Sequence, residues 1–307
     1  MRVAILDDYQ DVARSIADWG GLDITVFHDH VADDDALVER LEPFDAVVAM
    51  RERTPFDAGR LARLPRLRLL VTTGLRNASI DLEAARAHGV TVCATGYSGA
   101  STSELTWGLI LAVTRRIPAE DAAVRAGGWQ HTIGPELSGR TLGVIGLGRQ
   151  GTRAAEIGRA FGMDVVAWSR SRREAEGVTP VSSKEELLER SDVVTVHVVL
   201  SDQTRGLIGA AELARMKPTA YLINTSRGPI VDEAALLEAL RAGTIAGAGL
   251  DVYDTEPLPA GHPLRSAPNT VLTPHIGYVS TGTYEVFYRD AVEDIEAFIA
   301  GAPVRVL

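Results

Sequence analysis

The chain has 307 residues, 46% hydrophobic and 23% charged, the composition of an ordinary soluble globular protein with room for two domains. Its 31 Lys and Arg against 41 Asp and Glu leave a formal charge of −10, which argues against a nucleic-acid phosphate backbone as partner. No run approaches the roughly 18 apolar residues of a membrane helix, and a single cysteine, Cys93, excludes an intrachain disulfide framework.

The opening Met1-Arg2-Val3-Ala4-Ile5-Leu6-Asp7-Asp8 turns acidic after a short apolar core, as a first strand does and a signal peptide does not. Strands are expected at residues 3–6, 24–27, 46–50, 67–72 and 90–94, with helical patterns such as 33–41 and 81–87 between them. Cys93 falls in the last of these strands and reads as a buried residue, and a reducing cytoplasm is the expected compartment. Next, Leu105, Leu109, Ala112 and Val113 recur at helical spacing within 101–116, ended by Ile117-Pro118, and this helix is expected to cross between domains. A second βα series follows, with strands at 142–145, 165–168, 193–196, 221–223, 248–250 and 271–272. A last helical pattern, 283–299, carries Val286, Phe287, Ala291, Ile295 and Phe298 and is expected to return to the first domain. The fold class is α/β, two doubly wound parallel-sheet domains: residues 1–98 plus 283–307, and residues 99–282.

The loop Gly146-Leu147-Gly148-Arg149-Gln150-Gly151 follows an apolar strand and opens a helix running to about Phe161. Alone the G-x-G-x-x-G pattern is weak, but in this setting it reads as a dinucleotide loop, with Gly146, Gly148, Arg149, Gln150 and Gly151 against the pyrophosphate. An acid normally stands about 20 residues past the first glycine, to hold the adenosine ribose. Here Ser169 stands there, followed by Arg170-Ser171-Arg172-Arg173, while Asp164 sits before that strand, at the wrong end. Losing the acid and gaining guanidinium groups favours the 2′-phosphorylated cofactor, so NADP(H) is expected over NAD(H). The plainer alternative makes Arg172 and Arg173 a solvated face.

Three later stretches each follow an apolar run: Asn224-Thr225-Ser226-Arg227-Gly228-Pro229, Asp251-Val252-Tyr253-Asp254-Thr255-Glu256-Pro257 and Thr273-Pro274-His275-Ile276-Gly277. They deliver an Arg, a Glu and a His. An arginine fork can hold the carboxylate of a 2-keto acid and polarise its carbonyl, a histidine can exchange a proton near neutral pH, and a glutamate can steady the imidazolium. His28, His30, His88, His131 and His262 show no partner pattern and read as surface or packing residues, and no spacing suggests a metal site.

At these residues the chain resembles the D-isomer-specific 2-hydroxyacid dehydrogenase family, which includes glyoxylate and hydroxypyruvate reductases and phosphoglycerate dehydrogenases. The most specific piece is Met216-Lys217-Pro218-Thr219-Ala220-Tyr221-Leu222-Ile223-Asn224-Thr225-Ser226-Arg227-Gly228-Pro229-Ile230-Val231-Asp232, and Glu256 and His275 match two further motifs. The resemblance implies a flavodoxin-like substrate domain from the first and last segments, an inserted Rossmann NAD(P)-binding domain from the middle, and a homodimer. It implies that Arg227 holds substrate, Glu256 tunes the imidazole, and His275 is the acid in reduction and the base in oxidation. Asp251 resembles the residue near the nicotinamide, and Thr225 and His197 fall in loops similar to cofactor-lining ones. The loop 72–81 departs from the more glycine-rich version common in the family, yet Leu75 and Arg76 should still offer backbone amides to a substrate carboxylate. The expected reaction is reversible reduction of a 2-keto acid to a D-2-hydroxyacid, with the substrate left open. A reading of another class, a non-catalytic dinucleotide sensor related to corepressors of the same fold, would keep Arg227, Glu256 and His275 without turnover.

Overall fold

A computed structural model describes residues 1–170 and 173–307, and divides them into two units, Met1–Ser98 with Val279–Leu307, and Gly99–Tyr278. In chain order the first unit holds β1 (Arg2–Ile5), α1 (Ala13–Ile16), β2 (Asp23–Val26), α2 (Asp34–Leu41), β3 (Ala46–Ala49), α3 (Ala58–Ala62), β4 (Leu69–Thr72), α4 (Leu82–Ala87) and β5 (Thr91–Ala94). Its strands are all parallel in the order β2-β1-β3-β4-β5, the flavodoxin-like arrangement. β3 and β4 are buried at every position, as strands covered on both faces must be, which is why they read as unbroken apolar runs. Asp33, Asp57 and Asp81 start α2, α3 and α4 by accepting the N–H of Ala36, Arg60 and Ala84, caps worth about 1 kcal/mol each.

The second unit contains α5 (Ser101–Thr114), α6 (Ile117–Arg125), β6 (Thr141–Ile145), α7 (Arg149–Ala160), β7 (Asp164–Trp168), β8 (Thr179–Pro180), α8 (Lys184–Arg190), β9 (Val193–Val196), α9 (Ala210–Leu213), β10 (Tyr221–Asn224), α10 (Glu233–Ala242), β11 (Gly247–Leu250) and β12 (Thr270–Leu272). The order β12-β11-β10-β9-β6-β7-β8, parallel throughout, is a Rossmann sheet with its reversal between β6 and β9. Trp168, Ile145, Val196, Asn224, Leu250 and Leu272 are register partners in succession from β7 to β12, so the loops that follow them leave one edge of the sheet. α11 (Thr281–Ile299) belongs to the first unit, where it packs on α1 and β4 through Tyr284, Phe287, Tyr288, Ala291 and Ile295.

Three sequence expectations need correction. The helix at 101–116 stops at Thr114 and does not cross between domains; it lies within the second unit, because Trp107, Leu109, Ile110 and Val113 are buried with Leu142, Val144 and Ile223. Ile117-Pro118 does not end a helix but starts α6, after Arg116 takes a left-handed turn (φ +52°), since a first-turn proline costs a helix no hydrogen bond. Asp164 opens β7 rather than preceding it, still at the end away from the glycine loop. The edge strand β8 went unread because two exposed residues carry no periodicity.

Cys93 is fully buried, with its thiol pushed up to about 12 by that burial, and residues 305–307 lie along β5: Ala94 donates to Arg305 O and Leu307 donates to Val92 O. That pairing covers an otherwise open strand edge. Among the described residues no helix is long and apolar enough to cross a membrane.

Candidate active site

The loop after β10 is built around Asn224. Its side chain accepts from Ser226 N (3.0 Å) and donates to Arg227 O (3.0 Å), while Ser226 Oγ donates to Val196 O on the neighbouring strand (2.7 Å). These bonds hold Arg227 half-buried, three residues past the strand end, with a guanidinium nitrogen donating to Ser226 O (2.7 Å). The next residue must be glycine, because a Cβ at Gly228 would collide with the backbone of Tyr253 and Asp254. That close approach brings the β10 loop against the loop after β11.

Tyr253 ties the loops together further. Its N–H donates to Glu256 Oε1 (2.9 Å), and its hydroxyl donates to Thr273 O (2.9 Å), which also accepts from His275 N (3.1 Å), with Leu250 O 3.3 Å away. The other oxygen of Glu256 meets His275 Nδ1 at 2.5 Å. The imidazole sits on a left-handed backbone (φ +54°), uncommon for a residue with a side chain, and Tyr278 packs edge-on against it at 5.6 Å. Asp251, one residue past β11 and 1% exposed, accepts from Thr273 Oγ1 (2.6 Å), Ile276 N (2.8 Å) and Gly277 N (2.8 Å). Burial raises its carboxyl above the usual range while those three donors and the nearby His275 pull it down. The carboxylate thus holds the His275 turn from beneath.

At the other half of the edge lies a cavity of about 290 Å³ lined by Gly146, Gly148, Ser169, Arg170, Arg173 and His197 among others. Gly146 takes φ +97°, and a Cβ there would press on the backbone of His197; at Gly148, the residue that starts α7, the place of a Cβ is open. The shape fits a dinucleotide: space at the second glycine, facing a helix start whose first N–H groups have no helical acceptor. Gly151 is packed on Gly146 O. Arg149 and Gln150 turn elsewhere, Arg149 against Gly99 and Gln150 to Gly99 O (3.1 Å) and Ser103 Oγ (2.5 Å). Ser169, Arg170 and Arg173 stand where the ribose acid is absent, with Arg170 bonded to Gln203; Ser171 and Arg172 lie outside the described residues. His197 Nε2 pairs with Thr195 Oγ1 at 2.9 Å, and burial pushes its imidazole down to about 4. Thr225 is buried, with its hydroxyl 2.9 Å from that of Thr106.

Leu75 and Arg76 lie in the first unit, on the loop after β4, which Asn77 pins by donating to Arg51 O (2.7 Å) and Thr72 Oγ1 (2.9 Å). Both side chains are exposed. Of the histidines thought to lack a partner pattern, His30 meets Asp7 at 2.9 Å and His262 meets Glu233 at 2.9 Å, pairs made by tertiary folding and invisible in spacing. Asp8, Asp11 and His28 bring possible metal-ligand atoms within 4.8 Å of one another, although Asp8 already accepts from Val12 N and Ala13 N. Sequence reading also missed Tyr253, Thr106 and Ser103, whose hydroxyls carry no motif.

Residues 107–277, more than half of the chain, match the family of D-isomer specific 2-hydroxyacid dehydrogenases through its NAD binding domain. A glyoxylate reductase of Aeropyrum pernix is 43% identical over 258 residues, covering 80% of this chain and 77% of that protein. A glycerate dehydrogenase of Methylorubrum extorquens is 37% identical, covering 88% of each chain. A solved phosphoglycerate oxidoreductase from Vibrio cholerae superposes with a TM-score of 0.94 at 40% identity, covering 98% of this chain and 100% of that one. Each of the three is named as an oxidoreductase, which favours turnover over the sensor reading. The chain belongs to the D-isomer-specific 2-hydroxyacid dehydrogenase family, and is an enzyme that moves hydride between a nicotinamide dinucleotide and a 2-keto acid/2-hydroxyacid pair.

Proposed function

We propose that the enzyme is an NADPH-preferring reductase of short 2-keto acids, of the glyoxylate or hydroxypyruvate kind, working as a homodimer in the cytoplasm. The observation that carries the catalytic part is the 2.5 Å pair between His275 Nδ1 and Glu256, on the same sheet edge as the Arg227 turn and the glycine loop. A bound dihydronicotinamide supplies the hydride that goes to the carbonyl carbon. Arg227 binds the substrate carboxylate and draws electron density from the carbonyl. With Nδ1 held by Glu256, His275 gives the proton on Nε2 to the carbonyl oxygen, and Glu256 balances the imidazolium before and the hydrogen bond after. In oxidation His275 takes the hydroxyl proton back. Gly146, Gly148 and Gly151 form the pyrophosphate cradle, and Thr225, His197 and Asp251 line the nicotinamide side. Residues 1–98 with 283–307 act as the substrate domain, and 99–282 as the dinucleotide domain.

The NADPH preference is supported by Ser169, Arg170 and Arg173 in the cavity wall, with no carboxylate among its described lining residues. The dimer is supported by apolar side chains gathered in one stretch of the second unit: Ile117, Val124, Trp129 and Ile133 are exposed, the last at 99%. A panel of 2-keto acids assayed with NADPH and NADH tests the reading. NADPH should give the larger specificity constant by at least about tenfold. A tenfold preference for NADH removes the cofactor assignment, and failure to oxidise either cofactor with any keto acid removes the reaction.

A further inference from the structure

The first two turns of α5 carry Ser101, Thr102, Ser103 and Thr106, a hydroxyl-rich start on a helix that has no side-chain cap. Such residues ordinarily weaken a helix by competing for its backbone. Here they reach outward to the functional loops. Thr102 Oγ1 donates to Gly277 O (2.9 Å), two residues past His275, while Asp251 accepts from Gly277 N (2.8 Å), so this residue is gripped through both its backbone polar groups. One turn further along the same face, Thr106 donates its single proton to Thr102 O (2.8 Å) and accepts from Thr225 (2.9 Å), two residues before Arg227. Thr106 and Thr225 are buried, and α5 packs directly on β10 and β11, so water offers no easy substitute for these bonds.

We propose that Thr102 and Thr106 are positioning residues, resting on the catalytic reading above: Thr102 sets the His275 turn and Thr106 sets the Arg227 turn, both indexed to one rigid helix. A shift of either turn by a fraction of an ångström misaligns the proton donor with the carbonyl or loosens the carboxylate clamp, and such misplacements cost catalysis far more than they cost stability. Because the two threonines address different turns, their losses should separate kinetically.

The test compares wild type with Thr102→Val, Thr102→Ser and Thr106→Val in steady-state assays across pH, with dinucleotide affinity by fluorescence titration and Tm alongside. Thr102→Val keeps the shape and removes the hydroxyl; it should lower kcat roughly tenfold, displace the pH profile of kcat/KM, and leave dinucleotide affinity within about twofold. Thr102→Ser should restore most of the loss. Thr106→Val should chiefly raise the keto-acid KM, by roughly fivefold. If the valine variant does not fold, Thr102→Ala against Thr102→Ser makes the same comparison. Wild-type kcat and pH profile in the hydroxyl-less variant, failure of serine to rescue it, or a change confined to Tm overturns the proposal alone. A wild type inert toward every keto acid overturns the catalytic reading and this proposal with it.

Discussion

At the β11–β12 end of the second sheet, side chains are tied down: Asp251 accepts three hydrogen bonds, Glu256 uses one oxygen on Tyr253 N and the other on His275, and Tyr253 spans two carbonyls. At the β7 end, in the same register row, Arg170 and Arg173 are exposed on the loop after the strand. One sheet edge thus has an anchored half and a more exposed half. The proposed proton transfer needs heavy atoms held to fractions of an ångström, which the anchoring at this end provides. Under the proposed cofactor preference, recognition of a 2′-phosphate would draw on the charge and planar forks of Arg170 and Arg173, which needs less anchoring.

The sharpest way to break that comparison is at His275. His275→Ala should lower turnover by about 10²–10⁴-fold while dinucleotide affinity holds; stopped-flow or steady-state assays against a titration of cofactor fluorescence check it, and unchanged turnover removes the histidine from proton transfer. Arg227→Ala comes next, with the keto-acid KM raised by roughly 10²-fold and a smaller fall in kcat; a normal KM takes the guanidinium out of the substrate site. At the looser end, Arg170→Ala with Arg173→Ala should weaken NADPH about tenfold and leave NADH nearly untouched, read from the two KM values. Equal loss for both cofactors would make these arginines general electrostatic contributors.

The smallest expected effect contrasts Asp251 with another buried carboxylate, Asp294 of α11, which is fully buried, takes Arg305 Nε at 3.0 Å, and has its other oxygen without a partner among the described residues. Burial raises its carboxyl to about 7, against an ordinary value near 3.8. From about pH 4 to 7 the folded chain therefore keeps a proton that the unfolded chain has released, so stability falls as pH rises through that window. Asp294→Asn should flatten this dependence, narrowing the drop in Tm between pH 5 and pH 8 by on the order of 2–4 °C. Calorimetry at the two pH values decides, and an unaltered slope would show that Arg305 already compensates the charge.

Much of the fold was legible because both sheets are parallel and covered on two faces, so strands such as Ala46–Ala49 and Val193–Val196 are unbroken apolar runs between helix caps and turns. The helix at Ser101–Thr114 shows the limit: its periodicity was plain, but which sheet it would cover was not, because an apolar stripe names no partner. Arg227, Asp251, Glu256 and His275 stood out as polar residues in stretches that follow apolar runs. Tyr253, Thr102 and Thr106 did not, since a hydroxyl acquires its role only from the carbonyl it meets.

By itself, then, the sequence determined the βα alternation, the glycine loop and the order of Arg227, Glu256 and His275, because side-chain period and backbone conformation are local properties. Tertiary structure decided which strand ends stand in one row, that Gly228 must yield to Tyr253, and that Asp251 and Thr102 grip Gly277 from two sides. Those are contacts between residues far apart in the chain, and only packing fixes the distances on which hydrogen bonds depend.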